Sequence, residues 1–222
     1  MSDGVDESSA ARRGDAIAIV PGAGHSRRMG RPKLTLPWRL DGRAATIIER
    51  VVAALERGGV RRVFVIARRD DAELAAVVAR TSARLVVPEI DPPDMRASVS
   101  AGLRAAREDG AAPGPWLVVP GDHPLFGPDT VRRLLECWGA TVATPRQHST
   151  PSVFVPVHDG QRGHPVLFAP ELAACVDEIP DGSGLDWLVK GGLAARREVA
   201  VDDPGVLADL DTPADYERWR DR

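Results

Sequence analysis

Short apolar runs alternate with amphipathic segments along most of the chain, and each pattern predicts its own kind of element. Runs of four to eight apolar residues predict buried strands, whereas apolar residues recurring every three or four positions predict helices. The predicted strands are 16–20, 60–67, 84–87, 116–119, 141–144, 152–157, 165–168 and 196–201. The predicted helices are 44–57, 70–79, 96–108, 129–138, 171–179, 185–190 and 212–220. This alternation is typical of an α/β fold, a three-layer sandwich in which a mostly parallel, twisted sheet carries helices on both faces.

The alternation changes after Pro145, where two β-like runs follow each other without a helix between them. The runs 152–157 and 165–168 are separated by a polar segment that contains two glycines, His158 to His164. Two strands joined in this way form a hairpin. We therefore expect a β-hairpin flap that projects beside the sheet.

Length and composition favour one domain in a reducing compartment. The chain has 222 residues, a formal net charge of −3 and only two cysteines, Cys137 and Cys175. We expect a disordered tail over 1–13 and a single domain over 14–222. Dispersed basic residues and few aromatic residues argue against a nucleic-acid partner. No segment looks like a membrane span or a secretory leader, so we expect a cytoplasmic protein without a membrane partner.

The segment after the first predicted strand, Pro21 to Lys33, combines glycine with positive charge. Gly22 and Gly24 allow backbone N–H groups to turn toward a ligand without interference from a Cβ atom. Ser26 adds a hydroxyl donor. Basic side chains follow directly: Arg27, Arg28, Arg31 and Lys33. Backbone dipoles and cations together favour the binding of a phosphate chain.

An ordinary strand–helix turn would also explain this segment, which loosely fits a dinucleotide-binding fingerprint as well. That fingerprint requires an acidic residue about 20 positions later, at the end of the second strand. Asp41 comes too early, whereas Asp70 and Asp71 come too late. The basic side chains also carry more charge than a pyrophosphate diester needs. A triphosphate is therefore favoured over a dinucleotide.

Asp122 follows the strand predicted at 116–119, within the sequence Gly121-Asp122-His123-Pro124. Ligands of open α/β sheets collect at the carboxyl ends of the strands. Mg²⁺ takes one or two carboxylates together with phosphate oxygens and water. Asp122 is thus a candidate magnesium ligand beside the basic segment; the alternative is that it only caps a turn before Pro124.

The basic segment resembles the signature of the MobA-like NTP transferases, which attach a nucleoside monophosphate to the molybdenum cofactor. That signature reads Leu-Ala-Ala-Gly-x-Ser-x-Arg-Met-Gly-x-x-Lys. The matching residues are Ala23, Gly24, Ser26, Arg28, Met29, Gly30 and Lys33. Pro21 and Gly22 depart from it, because they stand where the family has Leu-Ala.

Two more motifs near the predicted phosphate site extend the resemblance. Gly121 and Asp122 match the family's Gly-Asp-x-Pro, in which the aspartate is a metal ligand. Ser98 fits a serine of the family's Gly-Met-Ser-x-Ser-Leu-x-x-Gly-Leu, a helix start near the nucleotide. The same helix start also has an apolar stripe typical of a core: Met95, Val99 and Leu103.

Motifs near the C-terminus extend the resemblance to about residue 219. Asp209-Leu210-Asp211-Thr212-Pro213 resembles the family's Asp-Ile-Asp-Thr-Pro, although a helix capped by Thr212 also explains it. The run from Gly163 to Phe168 is similar to the Gly-His/Asn-Pro-Val-Leu-Phe of the molybdopterin cytidylyltransferase branch. In contrast, 181–187 lacks the arginine of that branch's Gly-Asp-x-Gly-Ala-Arg.

The resemblance implies a Rossmann-like nucleotidyltransferase fold and a role for each matching position. The catalytic residues would be Arg28, Lys33 and Asp122. The nucleotide-binding residues would be Ala23, Gly24, His25, Ser26, Arg28, Met29, Gly30, Lys33, Ser98 and Gly121. Gly163, His164 and Pro165 would contact the acceptor. Asp122 and Asp211 would hold the metal, with Asp209 as the alternative to Asp211.

The implied reaction is transfer of CMP from CTP to the phosphate of molybdopterin, with Mg²⁺ as cofactor and pyrophosphate as the leaving group. A molybdoenzyme or its chaperone would be a protein partner. Two alternatives stay open at this point. The chain could be a nucleotidyltransferase for a sugar or polyol phosphate, or a non-catalytic nucleotide-binding factor for molybdoenzyme maturation.

Overall fold

A mixed, mostly parallel sheet forms the centre of the molecule. The computed structural model describes residues 15–26, 28–143 and 150–220, and eight strands of this part form the sheet in the order β10-β7-β9-β6-β1-β4-β5, with β8 paired to β7. A separate two-stranded sheet pairs β2 with β3. The strands are β1 (Ile17–Pro21), β2 (Pro37–Leu40), β3 (Arg43–Thr46), β4 (Arg62–Ile66), β5 (Arg84–Val86), β6 (Trp116–Val118), β7 (Ser152–His158), β8 (Gln161–Arg162), β9 (Val166–Phe168) and β10 (Ala195–Ala200).

Helices connect the parallel strands and cover the sheet. They are α1 (Ile47–Arg57), α2 (Ala72–Val78), α3 (Met95–Glu108), α4 (Pro128–Ala143), α5 (Trp187–Lys190) and α6 (Pro213–Trp219), with short 3₁₀ helices at Pro170–Ala173, Val176–Glu178 and Pro204–Leu207. In the part of the chain that the structure describes, no helix has the length and apolarity that crossing a membrane requires. The α/β fold class predicted from the sequence is confirmed.

The central strand shows why the helices must lie on both faces of the sheet. Every residue of 17–20 is buried, which is the pattern of a strand covered from both sides. Helix α3 packs closely on it at Gly102, where an added Cβ atom would lie 2.6 Å from Ile19 Cγ2. Gly58, at the end of α1, likewise lets Val131 of α4 approach.

The segment expected to project as a hairpin lies instead within the main sheet. Strand β7 pairs antiparallel with both β8 and β9, so the hairpin itself exists. Strand β9, however, also pairs with β6, and this inserts the hairpin between the parallel strands and β10. The reason is burial: the side chains of Phe154, Leu167 and Phe168 are apolar and need covered faces. The separate hairpin is β2–β3, turned at Asp41-Gly42 with positive φ at both residues.

Three predicted elements differ clearly from the structure. The helix expected over 171–179 is replaced by two 3₁₀ helices, Pro170–Ala173 and Val176–Glu178. The strand expected at 141–144 does not form, because 141–143 continue helix α4 and 144 lies outside the described residues. Thr141 Oγ1 donates to the Cys137 carbonyl one turn back at 2.9 Å, which satisfies this threonine inside a helix. The helix expected from 44 begins only at Ile47, because 43–46 pair as β3 and Thr46 caps the helix. The predicted tail over 1–13 lies outside the described residues.

Candidate active site

The segments singled out by the sequence meet at the carboxyl ends of β1, β4 and β6. The Gly22 amide donates to the Ile66 carbonyl at 2.8 Å, and the Gly121 amide donates to the Pro21 carbonyl at 3.1 Å. The segment before α6 joins them, because the Leu210 amide donates to the Asp122 carbonyl at 3.0 Å. These backbone bonds bring the basic segment, Asp122 and Asp211 to one edge of the sheet.

The basic segment, called the glycine loop below (residues 22–33), makes a tight turn at its centre. The Ser26 carbonyl accepts from the amides of Met29 at 3.0 Å and Gly30 at 3.1 Å, while Ser26 Oγ accepts from the Lys33 amide at 3.3 Å. Ser26 and Gly30 both have positive φ, 49° and 69°. Met29 is buried in the core and anchors the turn. Arg27 lies outside the described residues.

Gly22 and Gly24 of this loop serve different purposes. The Gly22 amide is engaged by strand β4, and a Cβ atom at Gly22 would lie 2.8 Å from the Ile66 oxygen, so this glycine permits a close backbone approach. At Gly24, by contrast, no heavy atom lies within 4 Å of the Cβ position. Of these two, Gly24 alone has the open surroundings expected of a ligand-binding glycine.

A four-residue charge cluster stands at the mouth of the sheet. Lys33 Nζ donates to Asp122 Oδ2 and lies 3.4 Å from Asp211 Oδ1, and Arg28 pairs with Asp211 at 2.8 Å. The Lys33 and Asp122 side chains are 15% and 18% exposed, whereas Arg28 is 73% exposed. The lysine is therefore fixed by two carboxylates, while the arginine faces solvent at the rim.

Asp122 and Asp211 are the candidate ligands of a divalent metal ion. Asp122 Oδ1 is buried without a hydrogen-bond partner among the described residues, and the His123 Nε2 atom lies 3.9 Å away. An ionised oxygen in that position suits a hard cation. Within the same described part, no group of three His, Cys, Asp or Glu residues converges on one point. Two carboxylates suit Mg²⁺ only if phosphate oxygens and water complete its coordination.

A cleft of about 540 Å³ adjoins this cluster. The glycine loop forms one wall and residues 91–95 form the opposite wall, with Lys33 and Asp122 at one side. Of the predicted nucleotide-binding residues, the cleft is lined by Ala23, Gly24, His25, Ser26, Lys33, Ser98 and Gly121. Ser98 is buried and its hydroxyl donates to the Asp94 carbonyl at 3.1 Å, so it also serves the first turn of α3. Arg28, Met29 and Gly30 lie outside the lining of this cleft.

A second cavity of about 530 Å³ lies on the other side of Met95, which lines both. Its wall is mostly apolar and includes Val155, Val166, Phe168 and Leu185, with Arg162, Lys190 and Arg196 among its basic residues. Of the residues predicted for the acceptor, Gly163 and His164 line it and Pro165 does not. Gly163 is required by packing, because a Cβ atom would lie 2.1 Å from the Val206 oxygen.

A pair of largely buried histidines connects the metal-ligand candidates to this second cavity. The rings of His123 and His164 meet edge to face, with centroids 4.9 Å apart. Burial lowers the pKa of His123, against the opposing charge of Asp122. Burial, reinforced by repulsion from His123, lowers the pKa of His164 to about 4. Both rings are therefore neutral at pH 7.

Sequence reasoning missed Arg68, which follows β4. Its Nη1 atom donates to the carbonyls of Ala23 at 3.2 Å and Gly24 at 3.0 Å. The available signal was its position, since β4 is the parallel neighbour of β1 and ends at the same edge of the sheet. Asp209 was weighed as a metal ligand, but it is exposed, whereas Asp211 lies within the charge cluster.

A family model and several known proteins match most of this chain. A family model described as the MobA-like NTP transferase domain matches residues 18–198. A probable molybdenum cofactor guanylyltransferase of Mycobacterium avium is 30% identical over 199 residues, covering 89% of this chain and 91% of that protein. A phosphoenolpyruvate guanylyltransferase of Rubrobacter xylanophilus is 31% identical over 176 residues, covering 78% and 77%.

Solved structures agree with the fold. The crystal structure of Rv0371c from Mycobacterium tuberculosis superposes with a TM-score of 0.73 at 24% identity, covering 94% of this chain and 98% of that one. A further structure of that protein, a complex with manganese, superposes with a TM-score of 0.68 at 24% identity, covering 93% and 98%.

Proposed function

We propose that this chain, which belongs to the MobA-like NTP transferase family, transfers a nucleoside monophosphate to the phosphate of a molybdopterin-type acceptor and releases pyrophosphate. The observation that carries the proposal is the charge cluster of Arg28, Lys33, Asp122 and Asp211, two members of which line the first cavity. A triphosphate in that cavity would lie against the cluster, and the acceptor would occupy the second cavity, which shares Met95 with the first.

The chain's own residues have two tasks in such a reaction. The acceptor phosphate is already ionised at neutral pH, so the protein must hold the reactants in place and neutralise charge rather than supply a strong base. Lys33, held by two carboxylates, would meet the triphosphate with a fixed ammonium group. Arg28, exposed at the rim, has the freedom to follow the departing pyrophosphate.

Asp122 and Asp211 would hold Mg²⁺ in this proposal. Asp122 Oδ1, buried and without a hydrogen-bond partner among the described residues, supports the assignment. Two carboxylates leave coordination positions to phosphate and water. When bound, the ion supplies positive charge to the phosphate oxygens. The Leu210–Asp122 backbone bond keeps the two carboxylates on one side of the cleft.

The second cavity supports a flat, heterocyclic acceptor. Its lining is mostly apolar, and such a wall favours a ring system over a small, fully charged acid. The exposed Arg196, Lys190 and Arg162 offer positive charge to anionic groups of the acceptor. The resemblance of 163–168 to the cytidylyltransferase branch points to the same acceptor class.

The name of one relative gives a second candidate acceptor, phosphoenolpyruvate. The phosphoenolpyruvate guanylyltransferase covers more than three quarters of this chain, so phosphoenolpyruvate belongs in the assay as a competing acceptor. As donor we propose CTP, because 163–168 resemble the cytidylyltransferase branch. GTP is the competing donor, because both relatives described above carry guanylyltransferase names.

The test is pyrophosphate release by the purified chain with Mg²⁺ and each of the four NTPs. Each donor is combined with molybdopterin, with phosphoenolpyruvate, with a sugar 1-phosphate or with no acceptor, and the product is identified by mass. Release with CTP that depends on molybdopterin supports the full proposal, and preference for GTP would replace the donor. Release with another acceptor would overturn the acceptor assignment. Nucleotide binding without release would make the chain a binding module.

A further inference from the structure

We propose that Arg68 is a positioning residue that turns the backbone amides of Gly24 and His25 toward the triphosphate, an inference that rests on the proposed nucleotide-binding function. Arg68 follows β4, outside the glycine loop and outside the charge cluster. Its contacts lie on the carbonyl side of the loop, so it acts on the ligand through the backbone it holds.

The guanidinium of Arg68 is held in place on both sides. Nη1 donates to the Ala23 and Gly24 carbonyls at 3.2 and 3.0 Å, while Nε donates to Asp70 at 3.0 Å. Nη2 lies 4.0 Å from Asp71, the residue that caps helix α2. The side chain is only 15% exposed. A guanidinium group fixed in this way holds the two carbonyl groups in one preferred direction.

The direction of a carbonyl determines the direction of the next amide. In a trans peptide the C=O of one residue and the N–H of the following residue point in opposite directions. Because the Ala23 and Gly24 carbonyls face Arg68, the amides of Gly24 and His25 face away from it. Arg68 lines one cavity beside the loop but not the cleft that contains Asp122, whereas Gly24, His25 and Lys33 line both.

The peptide units around Gly24 need a contact from outside the glycine loop to fix their orientation. Among the described residues, no backbone acceptor is found for the amides of 23–26, whereas the amides of Met29 and Gly30 are used by the turn at Ser26. Gly24 stands in open space, and a glycine without packing contacts has many accessible conformations. Without Arg68, the peptide units on both sides of Gly24 would be free to rotate.

Charge alone is the competing explanation, since any cation near the loop would attract phosphate. The lysine variant separates the two explanations. Arg68→Lys keeps the positive charge but cannot hold two carbonyls in one plane with a rigid fork. Arg68→Met removes the charge as well. Arg61→Met serves as the matched control, because Arg61 is 70% exposed and precedes β4, at the opposite edge of the sheet.

The experiment uses inorganic tripolyphosphate with Mg²⁺ as the probe and needs no turnover. In the unaltered chain we expect the amide NMR signals of Gly24 and His25 to shift on titration, while those of Met29 and Gly30 shift less. We expect the dissociation constant to rise about tenfold for both Arg68→Met and Arg68→Lys, the loss that follows from about one charge-assisted hydrogen bond. For Arg61→Met we expect a change below about twofold.

Unaltered affinity in both Arg68 variants, or a loss in Arg68→Met that Arg68→Lys fully restores, would overturn the positioning role. So would a titration of the unaltered chain in which the Gly24 and His25 signals stay still. If Arg68→Met fails to fold, the lysine variant carries the test. A chain that shows these amide shifts but releases no pyrophosphate would refute the proposed reaction and leave the role of Arg68 intact.

Discussion

At the scale of single residues, the position of Lys33 between two carboxylates is the feature with the clearest consequence. The ammonium bonds Asp122 and lies near Asp211, and all three side chains are largely shielded from water. Electrostatic partners that act in such shielded sites contribute far more than surface charges. We expect Lys33→Ala and Asp122→Ala each to lower kcat by about 10²- to 10³-fold. Steady-state pyrophosphate release measures this.

The matched control for the aspartate is Asp129→Ala, which removes an exposed carboxylate on α4 that pairs with Arg132. Its activity should stay within about twofold of the unaltered chain. Thermal melting checks that each variant is folded. Wild-type turnover in either Lys33→Ala or Asp122→Ala would remove these residues from the reaction.

The buried His164 predicts how stability depends on pH. Its pKa is about 4 in the folded chain and about 6.5 when unfolded. The unfolded chain therefore binds the proton more readily, so this contribution to stability is complete above pH 6.5 and is lost as the pH falls toward 4. Between pH 7.5 and pH 5, we expect this residue to lower the free energy of unfolding by about 2 kcal/mol. The measurement is urea unfolding at both pH values, in EDTA.

The variant that checks this effect is His164→Asn, because asparagine has no titration in the range and occurs at this position in the branch that 163–168 resembles. The difference in unfolding free energy between pH 7.5 and pH 5 should shrink by about 2 kcal/mol in the variant. Equal pH dependence in the two proteins would show that the ring is not held neutral.

At the scale of elements, the junction between β1 and the glycine loop explains a departure from the family pattern. Gly22 stands where the family signature has alanine, and a Cβ atom there would lie 2.8 Å from the Ile66 oxygen. We expect Gly22→Ala to destabilise the chain by about 1–3 kcal/mol, because the backbone of β1 and β4 must separate locally. Gly24→Ala, in open space, should change stability by less than about 0.5 kcal/mol. Equal unfolding free energies for the two variants would contradict this argument.

Elements were predictable from the sequence where local chemistry settles them. The start of α6 was predicted correctly, because Thr212 caps it and forms a capping box with Asp215. The starts of α1 and α2 were placed too early, although Thr46 and Asp71 cap them. The error at 141–144 has a local cause, since β-branched residues favour a strand while the helix already formed continues through them. The β2–β3 hairpin was overlooked although Asp41-Gly42 is a strong turn signal.

At the scale of the whole molecule, the sequence predicted the candidate site better than the arrangement around it. Lys33 and Asp122 are 89 positions apart, yet each follows a strand and so reaches the same edge of the sheet. The antiparallel β9 between β6 and β7 was not predictable, because pairing partners depend on the burial of both faces rather than on local pattern. Arg68 was missed because its role depends on which carbonyls it meets in the folded chain.

Binding of a nucleotide should stabilise the whole molecule, because the cleft and the charge cluster join segments from both ends of the chain. A ligand that binds only the folded state at about 100 times its dissociation constant adds about 2.7 kcal/mol. For a chain of this size that raises the Tm by about 5–10 °C. We expect this rise with the α,β-methylene analogue of CTP and Mg²⁺, and most of it should vanish in EDTA or in Asp122→Asn. The analogue prevents turnover, so the shift reports binding alone. An equal rise with and without the ion would show that Asp122 and Asp211 hold no metal and that Lys33 and Arg28 bind the phosphates by themselves.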